Sequence, residues 1–321
     1  MKAIQITEVG GPEVLKYTDV ANPSPGPGQA LIYIKASGVN YMDVYARSGL
    51  NAPSLPAIPG GEGAGIVVKV GEDVSEVEVG DLVAYTGAGA SYAEMVVVPS
   101  WRLVKLPEGL DAEAAAAVML QGMTAHYLCY ATYSLKPGDT CLVHAAAGGV
   151  GLLLTQMAKS LGALVIATVS TAEKAKLASA AGADHVINYV EEDFEEEVNR
   201  ISGEEGIQVV YDAVGLTTFD KSIACLAQRG YMVLYGQASG PVPQISPSIL
   251  ARKSLFLTRP SLGVYTATRE ELLQRAGDVL GWVQSGKLEL RIHGKFPLSD
   301  AAEAHRQLEG RLTTGKLLLI P

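Results

Sequence analysis

Between residues 140 and 235 the chain alternates short apolar runs with helix-like stretches, and this rhythm constrains the fold more than any other feature. The apolar runs fall at 140–144, 164–169, 185–188, 208–212 and 231–235, and the stretches between them at 150–161, 171–181, 192–201 and 219–227. Apolar strands alternating with helices predict a parallel sheet covered on both faces. The acidic stretch "EEDFEEEVNR" fits this scheme as a helix whose charges face solvent, with Phe194, Val198 and Ile201 turned inward.

The first strand-to-helix turn of that region, within "CLVHAAAGGVGLLLTQMAKSLG", has the context of a dinucleotide-binding turn. It reads AxxGxxG on Ala145, Gly148 and Gly151 rather than GxGxxG. Gly148 or Gly149 lets a diphosphate approach the backbone, and Gly151 lets helix and strand pack closely. Alanine fits the first place if its backbone stays at negative φ. The N–H groups of Gly149 and Val150 then face the diphosphate at a helix N-terminus. An NAD site needs an acid at the end of the second strand. Here that strand ends in Ser170 and Thr171, with no acid before Glu173 and with Lys174 next. Hydroxyl and cationic donors suit a 2′-phosphate, so the expected cofactor is NADPH.

The rest of the chain has a different texture. Short strands at 30–36, 66–70 and 82–85 and in "YAEMVVVP", broken by Gly and Pro, suggest a β-rich, barrel-like domain. An alanine-rich helix capped by Asp111 then leads into the alternating region. Helices at 269–285 and 300–309 and a final strand in "GKLLLIP" return to the first domain. The expected domains are therefore 1–123 with 263–321, and an inserted 124–262. A net charge of −9 argues against nucleic acid as a partner. No apolar run approaches the ~20 residues of a membrane span. The N-terminus runs directly into a strand-like pattern, so no signal peptide and a cytoplasmic location are expected. Cys129, Cys141 and Cys225 are too far apart for a zinc knuckle or a disulfide framework and are expected as buried thiols.

Taken as a set, "PGPGQ", "SGVNYMDVYARSGL", "PGGEGAGIVVKVG", "LQGMTAHYL", "HAAAGGVG", "YDAVG", "GQASGP", "TRPSL" and "RLTTGKLLLIP" resemble the zinc-independent, zeta-crystallin-like quinone oxidoreductases. These form a branch of the medium-chain dehydrogenase/reductase superfamily. The resemblance spans nearly the whole chain. It implies an α/β fold in which a Rossmann-type doubly wound parallel sheet is inserted into a β-rich GroES-like barrel domain. Where zinc-dependent members carry metal ligands, this chain has Asn40, Gly61 and Leu120, which cannot ligate zinc. Glu62 remains there, expected without a partner. Without a Lewis acid the fitting acceptors are quinones or conjugated enones, which delocalise the electrons they receive.

The resemblance also implies cofactor contacts at Gly148, Gly149, Val150, Ser170, Thr171, Lys174, Tyr189, Val214, Gly236, Gln237, Ser239, Pro260, Ser261, Leu262, Arg311 and Tyr41. Asn40, Tyr45 and Thr124 are the catalytic candidates, Asn40 and Tyr45 as hydrogen-bond donors to an acceptor oxygen. Turn chemistry is an alternative role for Val214 and Ser239, and anchoring the domain interface is an alternative role for Arg259. The expected activity is an NADPH:quinone reductase, as a homodimer, transferring hydride or single electrons. An NADPH-dependent 2-alkenal or enone reductase and a non-catalytic, crystallin-like NADPH-binding protein are the alternatives.

Overall fold

The computed structural model describes residues 1–321, which divide into two compact units. One unit joins Met1–Met123 to Thr266–Pro321, and the other is Thr124–Tyr265. The second unit runs on to Tyr265, beyond the boundary expected at 262. The Tyr265 ring stacks on Tyr127 with centroids 4.4 Å apart, and its hydroxyl accepts from Thr132 Oγ1 at 3.0 Å.

The Thr124–Tyr265 unit is built on six strands, all parallel. Across the sheet they run His185–Asn188, Leu164–Val169, Thr140–Val143, Ile207–Asp212, Leu226–Leu234, Phe256–Thr258. In chain order this is 3-2-1-4-5-6, the doubly wound arrangement with its switch point between the first and fourth strands. Leu142, Ile166, Val210 and Met232 from the sheet pack with Phe194, Val198, Phe219 and Ile223 from the helices. The acidic helix Phe194–Ser202 buries Phe194 and Val198 as its spacing predicts, and Ile201 packs against the same cluster.

The fifth strand departs from expectation. Helix Phe219–Cys225 stops at Cys225, and the strand begins at Leu226 rather than 231. Leu226 pairs with Ile207, and the register then jumps so that Val209 meets Tyr231. Arg229 takes a left-handed φ of 61° within that jump. Cross-strand pairing overrides the local helical pattern.

In the other unit the sheet order is Ile292–Pro297, Lys316–Ile320, Gln29–Val39, Glu62–Val70, Leu82–Thr86, Val104–Lys105, with Met95–Pro99 also pairing with Gln29–Val39. Ile32, Ile34, Val83, Val98 and Leu103 fill one core cluster, and Ile4, Val39, Leu298, Leu317 and Leu319 another. The C-terminal strand thus belongs to the sheet of the first hundred residues. The helix Tyr41–Ser48 and the strands Ile292–Pro297 and Phe256–Thr258 were not anticipated from the sequence. All three cysteines are buried free thiols, and no helix is long and apolar enough to cross a membrane.

Candidate active site

A fully parallel sheet has all its strand carboxyl ends on one edge, where ligands of open α/β sheets bind. The expected cofactor residues of the Thr124–Tyr265 unit lie just beyond those six ends. Gly148, Gly149 and Val150 follow the first strand, and Ser170, Thr171 and Lys174 the second. Tyr189 follows the third, and its N–H donates to Val169 O at 3.1 Å. Val214 follows the fourth, Gly236, Gln237 and Ser239 the fifth, and Pro260, Ser261 and Leu262 the sixth.

The glycine-rich turn confirms one steric expectation and corrects another. A Cβ on Gly151 would stand 2.4 Å from Ala145 O and 2.7 Å from Ala146 Cα, so close strand–helix packing requires glycine there. Ala145, however, does not stay at negative φ but takes 53°. The turn needs the left-handed region at this residue, and Gly148 N–H closes it on Ala145 O at 2.9 Å. An alanine held there costs roughly 1–2 kcal/mol relative to the right-handed region. Gly148 caps the Gly149–Ser160 helix without a side chain, so no hydroxyl or carboxylate covers its first-turn N–H groups.

At the second strand end three donors converge. Lys174 Nζ lies 3.3 Å from Ser170 Oγ, and Thr171 Oγ1 caps the next helix by accepting from Lys174 N at 3.2 Å. Two buried groups shape neighbouring loops. Asp212 accepts from Val214 N at 2.6 Å, Gly215 N at 3.0 Å and Thr218 Oγ1 at 2.7 Å. His144 bridges Thr168 Oγ1 and Ser222 Oγ at 2.9 Å each, and burial lowers its pKa, which keeps it neutral. Ser239 Oγ donates to Val214 O at 2.8 Å and accepts from Thr217 N at 3.1 Å, so its hydroxyl serves the turn. Arg259 reaches Leu234 O, Gly236 O and Gln237 Oε1 at 3.3, 3.4 and 2.8 Å, anchoring the loop after the fifth strand.

The remaining candidates belong to the other unit, apart from Thr124, which is buried where the Ala112–Tyr127 helix enters the nucleotide unit. Tyr41 and Tyr45 sit one turn apart on the Tyr41–Ser48 helix with ring centroids 5.4 Å apart. Burial, then the Glu309 carboxylate, holds the Tyr41 phenol above its usual pKa, while Arg311 acts against them. Arg311 is exposed beyond the Ala301–Glu309 helix at a φ of 57°.

Asn40, at the mouth of that helix, stands among buried charges. Glu62, expected to be alone, has three partners. Its carboxylate accepts from Lys316 Nζ at 2.5 Å, Asn40 Nδ2 at 2.8 Å and Leu120 N at 2.6 Å. Lys316 Nζ also donates to Asn40 Oδ1 at 2.8 Å. Both ends of the Asn40 amide are therefore engaged, since Nδ2 also approaches Gly38 O at 3.3 Å. Glu62 and Lys316 are each 0% exposed. Stripping one partner from such a pair costs about 3–5 kcal/mol because it orphans a buried charge.

A second buried chain starts from the Asn40 backbone. Asn40 N donates to Asp43 Oδ2 at 2.8 Å, which also accepts from Tyr92 OH at 2.9 Å; that hydroxyl lies 3.1 Å from His305 Nε2. Burial raises Asp43 to about 6, against the hydrogen bonds from Asn40 and Tyr92. Burial, aided by Arg47, lowers His305 to about 3. Arg47, itself buried, holds Glu309 Oε1 at 2.6 Å.

Comparison with known proteins decides the family. Residues 26–108 match the alcohol dehydrogenase GroES-like domain, and 149–277 the zinc-binding dehydrogenase domain. A quinone oxidoreductase of Pseudomonas aeruginosa is 46% identical, covering 100% of this chain and 99% of that one. The chain belongs to the quinone oxidoreductase family. It shares 43% identity and a TM-score of 0.98 with the Escherichia coli quinone oxidoreductase solved with NADPH, over 100% of both chains. A 2-haloacrylate reductase of Burkholderia is 41% identical, over 99% of this chain and 98% of that one.

Zinc, implied by one domain's description, does not fit this member of the quinone oxidoreductase family. Asn40 turns both ends of its amide to internal partners, Gly61 has no side chain and Leu120 offers none that binds metal. No three His, Cys, Asp or Glu side chains converge as a metal site. NADPH does fit, since an uncapped helix N-terminus and a cluster of two hydroxyls and an ammonium lie on one sheet edge.

Proposed function

We propose that this chain is an NADPH-dependent quinone reductase. The observation that carries the reading is the Ser170–Thr171–Lys174 cluster beside the glycine-rich turn. Gly149 and Val150 would hold the diphosphate through backbone N–H groups, and Ser170, Thr171 and Lys174 the 2′-phosphate. Tyr189 would lie along the adenine. Val214, Gly236, Gln237, Ser239, Pro260, Ser261 and Leu262 would line the remaining length, and Tyr41 and Arg311 are proposed as further cofactor contacts.

When bound, NADPH would supply a hydride, two electrons and one proton, and a second proton from water would complete the hydroquinone. Tyr45 and Thr124 are the proposed hydroxyl donors to the acceptor oxygen. Asn40 acts on geometry instead, because Lys316, Glu62 and Gly38 engage its amide. The reading includes a homodimer in the cytoplasm. The Phe256–Thr258 strand is a free edge of its sheet, and Phe256 is half-exposed on it, which supports self-association.

The test is oxidation of NADPH and, in parallel, NADH against ortho-quinones, para-quinones and conjugated enals. Quinone turnover with strong preference for NADPH is the expected result. The 2-haloacrylate reductase relative favours a second reading, an enone or alkenal reductase on the same scaffold. Turnover of enals alone would select it. NADPH binding without turnover would leave only the cofactor reading.

A further inference from the structure

The Glu62–Lys316 pair lies at one end of the sheet, where three adjacent strands finish or begin. In the register Leu317 faces Val39 and Ser37 faces Gly63. The preceding residues, Lys316 and Glu62, therefore flank Gly38 and Asn40 from the two neighbouring strands. The residue between them is constrained accordingly. A Cβ on Gly38 would stand 2.3 Å from Glu62 Oε2, 2.6 Å from Lys316 Cε and 2.5 Å from Ala116 O. Glycine at this position leaves room for an ion pair to cross the backbone.

Burying an ion pair this completely is costly, and well-packed apolar residues often serve stability as well or better. What this pair adds is direction. The ammonium faces Asn40 Oδ1 and the carboxylate faces Asn40 Nδ2, so the charges determine which way the amide points. The Asn40 N–H simultaneously holds Asp43 in the first turn of the helix carrying Tyr41 and Tyr45. We propose that Glu62 and Lys316 are positioning residues for quinone reduction, locking Asn40 and through it the start of the Tyr41–Ser48 helix.

The proposal rests on the quinone reductase reading, and the neutral pair Glu62→Gln/Lys316→Met tests it. The new side-chain amide can still accept from Leu120 N, but it presents an N–H₂ group where the second carboxylate oxygen was. Asn40 must then turn over or lose a partner. Either single variant leaves an orphaned buried charge and is prone to misfold; the neutral pair removes both charges at similar volume. In the full-length variant, kcat/KM for the quinone should fall at least tenfold. NADPH affinity by direct titration should fall by less than kcat/KM does, because the phosphate contacts lie in the other unit and only Tyr41 among the proposed cofactor contacts is on the loosened helix. Hydrogen exchange across residues 40–48 should speed up at least tenfold. A folded variant with kcat/KM within twofold of wild type would overturn the proposal. So would unchanged exchange in that helix, a reading that stands even if the wild type reduces no quinone. In that case the failed activity would refute the function and the exchange would still judge the lock.

Discussion

The Asp43–Tyr92–His305 chain allows a pH prediction in which two buried groups oppose each other. Asp43 has a folded pKa raised from 3.8 to about 6. Its folded state holds a proton that the unfolded state has already released. That contribution is fully present below 3.8 and is lost as pH rises through 6. His305 is lowered from 6.5 to about 3, so its folded state refuses a proton that the unfolded state takes. Its contribution is present above 6.5 and is lost as pH falls towards 3. Each pKa unit corresponds to about 1.36 kcal/mol. On going from pH 6 to pH 4, Asp43 should add roughly 2 kcal/mol of stability and His305 should remove roughly 2.5 kcal/mol. In the wild type the two nearly cancel.

Single substitutions should expose each slope. Asp43→Asn leaves acceptors for Asn40 N and Tyr92 OH but cannot titrate. Over that interval it should lose about 2 kcal/mol relative to wild type. His305→Gln should gain about 2.5 kcal/mol relative to wild type over the same interval. Urea denaturation followed by tryptophan fluorescence reads the correct unit, because both tryptophans, Trp101 and Trp282, belong to the unit containing Asp43 and His305. The absolute stability of each variant is immaterial; the slope against wild type carries the result. The groups that face the pair are Lys316 and Glu62 towards Asp43 and Arg47 towards His305, and both variants retain them. If both variants run parallel to wild type within about 0.5 kcal/mol from pH 6 to pH 4, the attribution of these shifts to burial is refuted.

Ser170→Asp places a carboxylate where the 2′-phosphate is proposed to bind; losing a charge-assisted contact of about 1.5–3 kcal/mol should cut the NADPH-over-NADH preference in kcat/KM by roughly 10- to 100-fold. Gly151→Ala drives a methyl into Ala145 O and Ala146 Cα, backbone that cannot yield. It should destabilise the nucleotide unit by about 1–3 kcal/mol in calorimetry and abolish NADPH binding by titration. Asn40→Asp sets a third carboxylate against Glu62, so the folded state should take up a proton; its denaturant stability should trail wild type at neutral pH and recover on acidification by up to about 1.4 kcal/mol per unit.

The nucleotide unit was legible because its signals are local. An apolar run between glycine-rich turns declares a buried strand, and each strand's carboxyl end follows a few residues later. The expected cofactor positions after the first five strands could therefore be assigned to a strand end by counting, whereas Pro260, Ser261 and Leu262 rested on the family resemblance alone, because Phe256–Thr258 gave no strand signal of its own. Exceptions arose where pairing at a distance determined conformation. Leu226 joined a strand because Ile207 lies opposite it, despite the helical pattern of its neighbours. Ile292–Pro297 alternates half-buried with exposed residues, includes Gly294 and Pro297, and carries little strand signal of its own. Ala145 gives no sign of positive φ, because the residue type is the opposite of what that conformation prefers.

The other unit's chemistry was harder to read for a related reason. Glu62 looked unpaired because its cation lies 254 residues along the chain, in a strand whose sequence, "KLLLI", reads as plain core. A lysine opening an apolar strand at the end of a sheet is ordinarily solvated, and nothing near it announces a buried acceptor. Topology supplies the pairing: the C-terminal strand enters the sheet beside Gln29–Val39, and that register brings Lys316 to Asn40. Gly38 was the one available clue, since an interior strand weakened by glycine usually marks a close approach by something else. Here that approach is by both members of an ion pair. The same topology explains why replacing Asn40 without regard to Glu62 and Lys316 should fail. Its amide is the neutral link between a buried anion and a buried cation, and any side chain placed there must offer a donor to one and an acceptor to the other.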